Sequence, residues 1–107
     1  MNGATNENWD VAAASYHTVT DGQVRYIERA VKINGAGALV WSCPGPRAGE
    51  WDETAMLTVL EARQIADALE QPEPWDAREL SEEDIARRKR VAQAIRSKCE
   101  ASRLGYV

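Results

Sequence analysis

His17 is the only histidine in the chain, so any Ser/His/Asp or Cys/His nucleophilic centre has to include it. Its best sulfur partner is Cys43, which could reach it only if the first and third strands were neighbours. The stronger reading makes His17 a surface residue of an outer strand and Cys43 a small buried apolar group. Glu50, Asp52 and Glu53 gather around Trp51. Carboxylates beside an aromatic could serve glycoside hydrolysis, but that chemistry needs two of them flanking the scissile bond. No sequence-distant partner stands out, and a polar loop tip accounts for the cluster. Two cysteines and one histidine fall short of the four ligands of a structural zinc site. Gly35-Ala36-Gly37 leads into a strand, whereas a dinucleotide fingerprint needs a glycine-rich turn from strand to helix. No P-loop is present. The expectation is a protein with no catalytic, metal or cofactor site.

Binding chemistry has more to work with. Arg87, Arg88, Lys89, Arg90, Arg96, Lys98 and Arg103 all fall near the C-terminus, and phosphate contacts from such a segment would give salt-dependent affinity for nucleic acid. Two facts oppose this. Glu82, Glu83 and Asp84 precede the bases, as a helix dipole favours. At 100° per residue, Arg87 to Arg90 circle a helix, whereas a DNA-reading helix concentrates its bases on one side. The aromatics are the other resource: four Trp and three Tyr, with no Phe. Trp and Tyr are enriched at binding hot spots, but a Phe-free chain must also build its core from them. Trp41, in an apolar run, belongs to the core. Trp51 and Trp75 fall in loops, as lids over core edges or as partner contacts.

These residues need elements to hold them. Ser15 to Thr20 reads as a strand, and Asp21-Gly22 as a type I′ hairpin turn. Gln23 to Ile33 reads as the second strand. Val24, Tyr26, Glu28, Ala30 and Lys32 share one side, and Arg25, Ile27, Arg29, Val31 and Ile33 share the other. Neither side is purely apolar; a bulge near Glu28–Arg29 would re-phase the alternation. A helix over Val24–Val31 is the competing reading, against which the β-branched content and flanking turns favour strand. Asn34-Gly35 marks a second turn and Ala38 to Cys43 a third strand, apolar almost throughout. Pro44 and Pro46 end it, because proline cannot donate to a ladder. A ten-residue loop, 44–53, follows, with a short fourth strand at Thr54 to Leu57.

Thr58-Val-Leu-Glu61 fits a capping box with Leu57 at the staple position. Ala62, Ile65, Ala66 and Leu69 then recur at helical spacing, until Pro72 and Pro74 stop the helix. Asp76…Glu79 and Ser81…Asp84 both read as helix starts, the second opening a helix over roughly 82–102. On it Ile85, Val91, Ala92, Ile95 and Cys99 fall in a 120° arc, and Arg88 falls inside the same arc. So thin a stripe implies a peripheral helix or one completed by a partner.

Leu57-Thr58-x-x-Glu61-Ala62-Arg63-x-x-Ala66-x-Ala68-Leu69, directly after strands, resembles small uncharacterised proteins of actinobacteria and their phages. Those have a compact sheet followed by a helix opening Leu-Thr-x-x-Glu-Ala-Arg. The likeness spans roughly residues 38–70, and those proteins carry Pro where this chain has Val59. It implies a source and a compact sheet-plus-helix body, and no mechanism.

The 107 residues make one domain. The expected fold class is α+β: a three- to four-stranded antiparallel meander packed by one helix, then a linker and a longer C-terminal helix. The expected segments are a flexible tail at 1–12, a body at 13–70, a proline-containing linker at 71–76 and a basic helical arm at 77–107. Residues 1–79 hold 13 acids and 6 bases, and residues 80–107 hold 4 and 7; such asymmetry points to a charged partner. No apolar run reaches the length of a membrane span, and the first ten residues lack the pattern of a secretory signal. Reduced cysteines in the cytoplasm are expected. The expected function is a non-enzymatic accessory or regulatory protein that binds a partner protein or itself through Trp51, Trp75, Ile85, Ala92, Ile95 and Cys99. A homodimer through the last helix is one form of this. The alternative is a nucleic-acid-associated regulator using the basic helix.

Overall fold

The computed structural model describes residues 9–54 and 56–107. Four strands form one antiparallel sheet in sequence order: β1 (Trp9–Thr20), β2 (Gln23–Asn34), β3 (Leu39–Pro44) and β4 (Trp51–Thr54). Three helices follow: α1 (Val59–Glu70), the single turn α2 (Pro74–Ala77) and α3 (Glu82–Ala101). The class is α+β.

The Asp-Gly turn fixes the register. Asp21 and Gly22 have φ of 51° and 78°, the pair of positive angles that a type I′ turn requires. From the closing pair Thr20↔Gln23 the ladder runs without interruption to Trp9↔Asn34. No bulge forms at Glu28–Arg29: the two strands alternate as read, and the sides look mixed because only part of one is covered. β1 also begins at Trp9, so residues 9–12, expected in the tail, are strand; residues 1–8 lie outside the described residues. Strand propensity missed residues 9–14 because Asp10 and the three alanines at 12–14 are residue types depleted in strands. Packing decides it, with Ala12 and Ala14 buried in the core.

Asn34 organises the next turn. Its side-chain oxygen accepts the amides of Ala36 and Ala38 at 3.0 and 2.9 Å, and Gly37 takes φ 86°. The connection from β3 to β4 is shorter than expected. Gly45 N–H donates to the Glu50 carbonyl at 2.9 Å, and β4 starts at Trp51 with Pro44 opposite. Trp51, Asp52 and Glu53 are thus strand residues and not a loop tip. Pro44 is accommodated as the last residue of its strand.

Residues of β1 to β3 on one side meet the helices. Val31 and Trp41 from the sheet join Ala62, Ile65, Ala66 and Leu69 of α1 and Val91, Ala92, Ile95 and Cys99 of α3 in one core. The Trp41 indole N–H donates to the Val107 carbonyl at 3.0 Å. Val107 in turn exchanges two 2.9 Å backbone bonds with Leu57, so the segment after α3 lies against the entry to α1.

Both long helices start where the sequence indicates, with half of the expected box at α1 and the complete box at α3. The Thr58 hydroxyl accepts the Glu61 amide at 3.2 Å. Ser81 and Asp84 form a reciprocal box, each side chain accepting the other's amide at 3.1 Å. The Ser81 bonds and the adjacent Arg87 guanidinium hold the Asp84 carboxyl below its usual range, so this cap is complete at neutral pH and weakens as acid protonates the carboxylate. Ser81→Ala is expected to cost about 1 kcal/mol, read as a shift in the urea midpoint. Asp76…Glu79 does not form a cap: α2 begins after Glu73, whose side chain makes no capping bond, and Asp76 bonds elsewhere.

Candidate functional site: the uncovered sheet face

The basic helix is not an appended arm. α3 runs antiparallel to α1, its Arg88 at the last carbonyls of α1 and its Cys99 beside the Val59 carbonyl at the other end. Ala92 and Ile95 are fully buried and Cys99 nearly so. They pack against α1 and the sheet within the one chain, so Ala92, Ile95 and Cys99 offer no free surface for the homodimer expected through this stripe. The stripe is thin because α1 and the sheet supply the missing apolar surface. Burial raises the Cys99 thiol above its ordinary range, opposed by Arg63 and Arg96; the thiol stays protonated and unreactive. Cys99 and Cys43 are both free. Ile85 alone of the expected helix contacts is exposed.

The bases of α3 are largely committed within the chain. Arg88, expected to reach phosphate, is 7% exposed. Its Nε and Nη2 donate to the Leu69 and Ala68 carbonyls at 3.1 Å each, and Nη1 donates to the Ala13 carbonyl at 2.6 Å. Burial lowers its pKa from the ordinary arginine value, against the fields of Asp76 and Asp84. Arg96 holds Asp67 at 2.8 Å and Glu70 at 3.1 Å, Arg90 reaches Asp10 at 3.4 Å, and Arg87 pairs with Asp84. Lys89, Lys98 and Arg103 are left exposed. Lys89 and Lys98 are nine positions apart, which at about 100° per residue puts them on opposite sides of the helix.

The face of the sheet away from α1 and α3 carries the remaining chemistry. Strand alternation places Val11, Ala13, Ser15, His17 and Val19 on it. The ladder puts Lys32, Ala30, Glu28, Tyr26 and Val24 directly opposite them. Ser42 and Pro44 continue the face, opposite Glu53 and Trp51. Lys32 Nζ and Glu53 Oε1 form a 2.7 Å ion pair across it.

The connection from α1 to α3 passes around the outer edge of β1 to reach this face. Ser15 Oγ donates to Asp76 Oδ2 at 2.6 Å. The Trp75 ring meets His17 edge-on at 5.7 Å, and His17 lies 5.4 Å from Tyr26. With Arg88 on the Ala13 carbonyl, this strap covers the middle of an edge strand that would otherwise invite pairing with another chain. Removing the Ser15 hydroxyl (Ser15→Ala) is expected to cost about 1 kcal/mol. It should also speed amide exchange in residues 72–80, seen by mass spectrometry.

Ser15, His17 and Asp76 lie close together, but they do not make a nucleophilic centre. Ser15 gives its only proton directly to the carboxylate, while His17 faces Tyr26 and Trp75 instead of bridging the two. The His17–Cys43 pair does not assemble either. β2 separates their strands, and Cys43 lies with Tyr16 and Arg29 on the helix side. Glu50 and Asp52 both lie beside Gly45, but Glu53 is on the other side of β4, paired with Lys32, so the three do not form one group. Among the described residues no three His, Cys, Asp or Glu side chains form a metal-ligating group.

What the face does offer is apolar surface. Of the eleven exposed large hydrophobic side chains among the described residues, six lie here: Val11, Val19, Val24, Tyr26, Trp51 and Trp75. Tyr26 is 49% exposed, Trp51 45% and Trp75 41%. Between strap and sheet is an open cavity of about 420 Å³, walled by Tyr26, Trp51 and Leu80 and edged by Glu28, Asp76 and Glu79. Trp51 and Trp75, singled out from the sequence, are on this surface; Tyr26, Glu28 and Asp76 were not foreseen in this role. No protein-family profile matches the sequence, and no curated protein and no solved structure is detectably similar to it.

Proposed function

We propose that the protein is a small non-enzymatic accessory or regulatory protein that binds a partner protein through the uncovered face of its sheet. The concentration of exposed Val, Tyr and Trp on that face, while the opposite face is filled by two helices, is the observation that carries this reading. Exposed apolar side chains gathered on one face mark an interaction surface, and Trp and Tyr are the side chains on which interface energy concentrates. The resemblance of Leu57 to Leu69 supports an actinobacterial or phage source for such a factor, acting in the cytoplasm, where Cys43 and Cys99 remain thiols. Among the described residues no helix is long and apolar enough to cross a membrane.

Binding of nucleic acid is less well supported, since Arg87, Arg88, Arg90 and Arg96 are spent on contacts inside the chain. Capture from a host lysate with and without nuclease separates the two readings. The protein should retain a nuclease-resistant partner that Tyr26→Ser with Trp51→Ser reduces at least about tenfold, the loss of two hot-spot contacts. Lys89→Gln, Lys98→Gln and Arg103→Gln together should leave capture unchanged. A partner that survives the sheet-face substitutions, or a nuclease-sensitive one lost with the three bases, would overturn the proposal.

A further inference from the structure

We propose that the cavity between strap and sheet receives a basic side chain, arginine or lysine, of the partner protein. This rests on the preceding reading and names the chemistry of what is recognised.

The cavity joins two features that favour a cation. Tyr26 and Trp51 present aromatic surface, which attracts guanidinium and ammonium groups over the ring face. Glu28, Asp76 and Glu79 supply carboxylates at the same opening. Glu28 and Glu79 form no ion pair among the described residues, unlike Glu53, Asp67, Glu70 and Asp84. Arg29 and Arg88 line the same cavity and Arg88 lies in the field of Asp76, but neither forms an ion pair with Glu28 or Glu79. Arg88 directs three donors to backbone carbonyls, and Arg29 Nη1 donates to the Glu28 carbonyl at 2.8 Å. Ser15 fixes Asp76 in place through its hydroxyl, so one carboxylate is held before any ligand arrives. At about 420 Å³ the cavity falls within the usual range of ligand pockets. An anionic group there would meet three carboxylates against two guanidinium groups that already donate to backbone carbonyls; a neutral apolar group would leave Glu28 and Glu79 without an ion-pair partner.

The test is a titration of the full ¹⁵N-labelled chain with N-acetyl-argininamide and N-acetyl-lysinamide, with N-acetyl-glutaminamide as the neutral control. Saturable shifts should appear at the Trp51 indole and at the Ser15, Tyr26, Glu28 and Glu79 amides with the basic probes. Glu28→Gln with Glu79→Gln, both exposed positions, should weaken binding at least about tenfold, as loss of two charge partners implies. Added salt should weaken it further. No saturable shift, equal shifts with the glutamine probe, or full binding by the double variant would overturn the assignment. If the probes fail while the sheet-face substitutions still abolish capture, the cavity assignment falls and partner binding through the face stands. If the probes bind but capture survives those substitutions, the face fails as the partner surface and the cavity remains a cation site.

Discussion

Replacing Arg88 with alanine will lower the stability of the fold by about 3–5 kcal/mol, the cost of stripping buried polar groups of their partners. The magnitude follows from how α1 ends. Its last turn has no basic residue, and Gln71 closes it with φ −127°, outside the left-handed geometry by which many helices satisfy their final carbonyls. Ala68 and Leu69 therefore depend on another element. Arg88 supplies it from α3, placing a cation at the negative end of the α1 dipole. The same guanidinium holds the Ala13 carbonyl on the exposed edge of β1. One side chain thus joins α1, α3 and the sheet, and its loss leaves three carbonyls unpaired. Arg88→Lys should recover only part of the loss, since an ammonium lacks the planar fork that reaches three acceptors. Urea unfolding followed by circular dichroism measures both. A cost for Arg88→Ala below about 1 kcal/mol, the size of an ordinary surface effect, would mean that α3 is peripheral after all.

Trp41→Ala should be similarly damaging, at about 3–5 kcal/mol for a fully buried aromatic. Trp41 is the largest fully buried side chain and sits on β3 opposite both Val31 and Thr54. Its indole N–H also ties the Val107 carbonyl to the core. Trp41→Phe keeps most of the ring and removes that bond, so about 1–2 kcal/mol is expected, with loosening confined to residues 102–107. Thermal unfolding gives the first quantity and amide exchange the second. Equal costs for the two variants would show that the hydrogen bond, not the ring, carries the effect.

Local chemistry made much of this fold legible. The Asp-Gly turn specifies a two-residue hairpin, and with it every cross-strand pair from Thr20↔Gln23 to Trp9↔Asn34. That register already placed His17 beside Tyr26 and Ser15 beside Glu28; allowing for a bulge obscured it. Thr58 and Ser81 announced their helices through side chains that satisfy nearby amides. The errors arose where tertiary packing overrides propensity. Ala12 and Ala14 belong to a strand because their small side chains let the helices approach the sheet. Trp51 joins a strand because Pro44 can end one. Arg88 inside an apolar arc was a visible signal of a buried guanidinium, but nothing local names the carbonyls it bonds. The acid–base asymmetry along the chain has the same origin. Asp10, Asp67 and Glu70 face Arg90 and Arg96 within the fold, so part of the apparent affinity for an outside partner is satisfied internally.

The measurement that tests most directly whether the uncovered face binds the partner is hydrogen–deuterium exchange on the captured complex. Protection should appear in residues 17–28 and 51–54 and in the strap at 73–80, with the exposed side of α3 unchanged. Protection confined to α3 around Lys89 and Lys98, with the sheet strands exchanging as in the free protein, would contradict it.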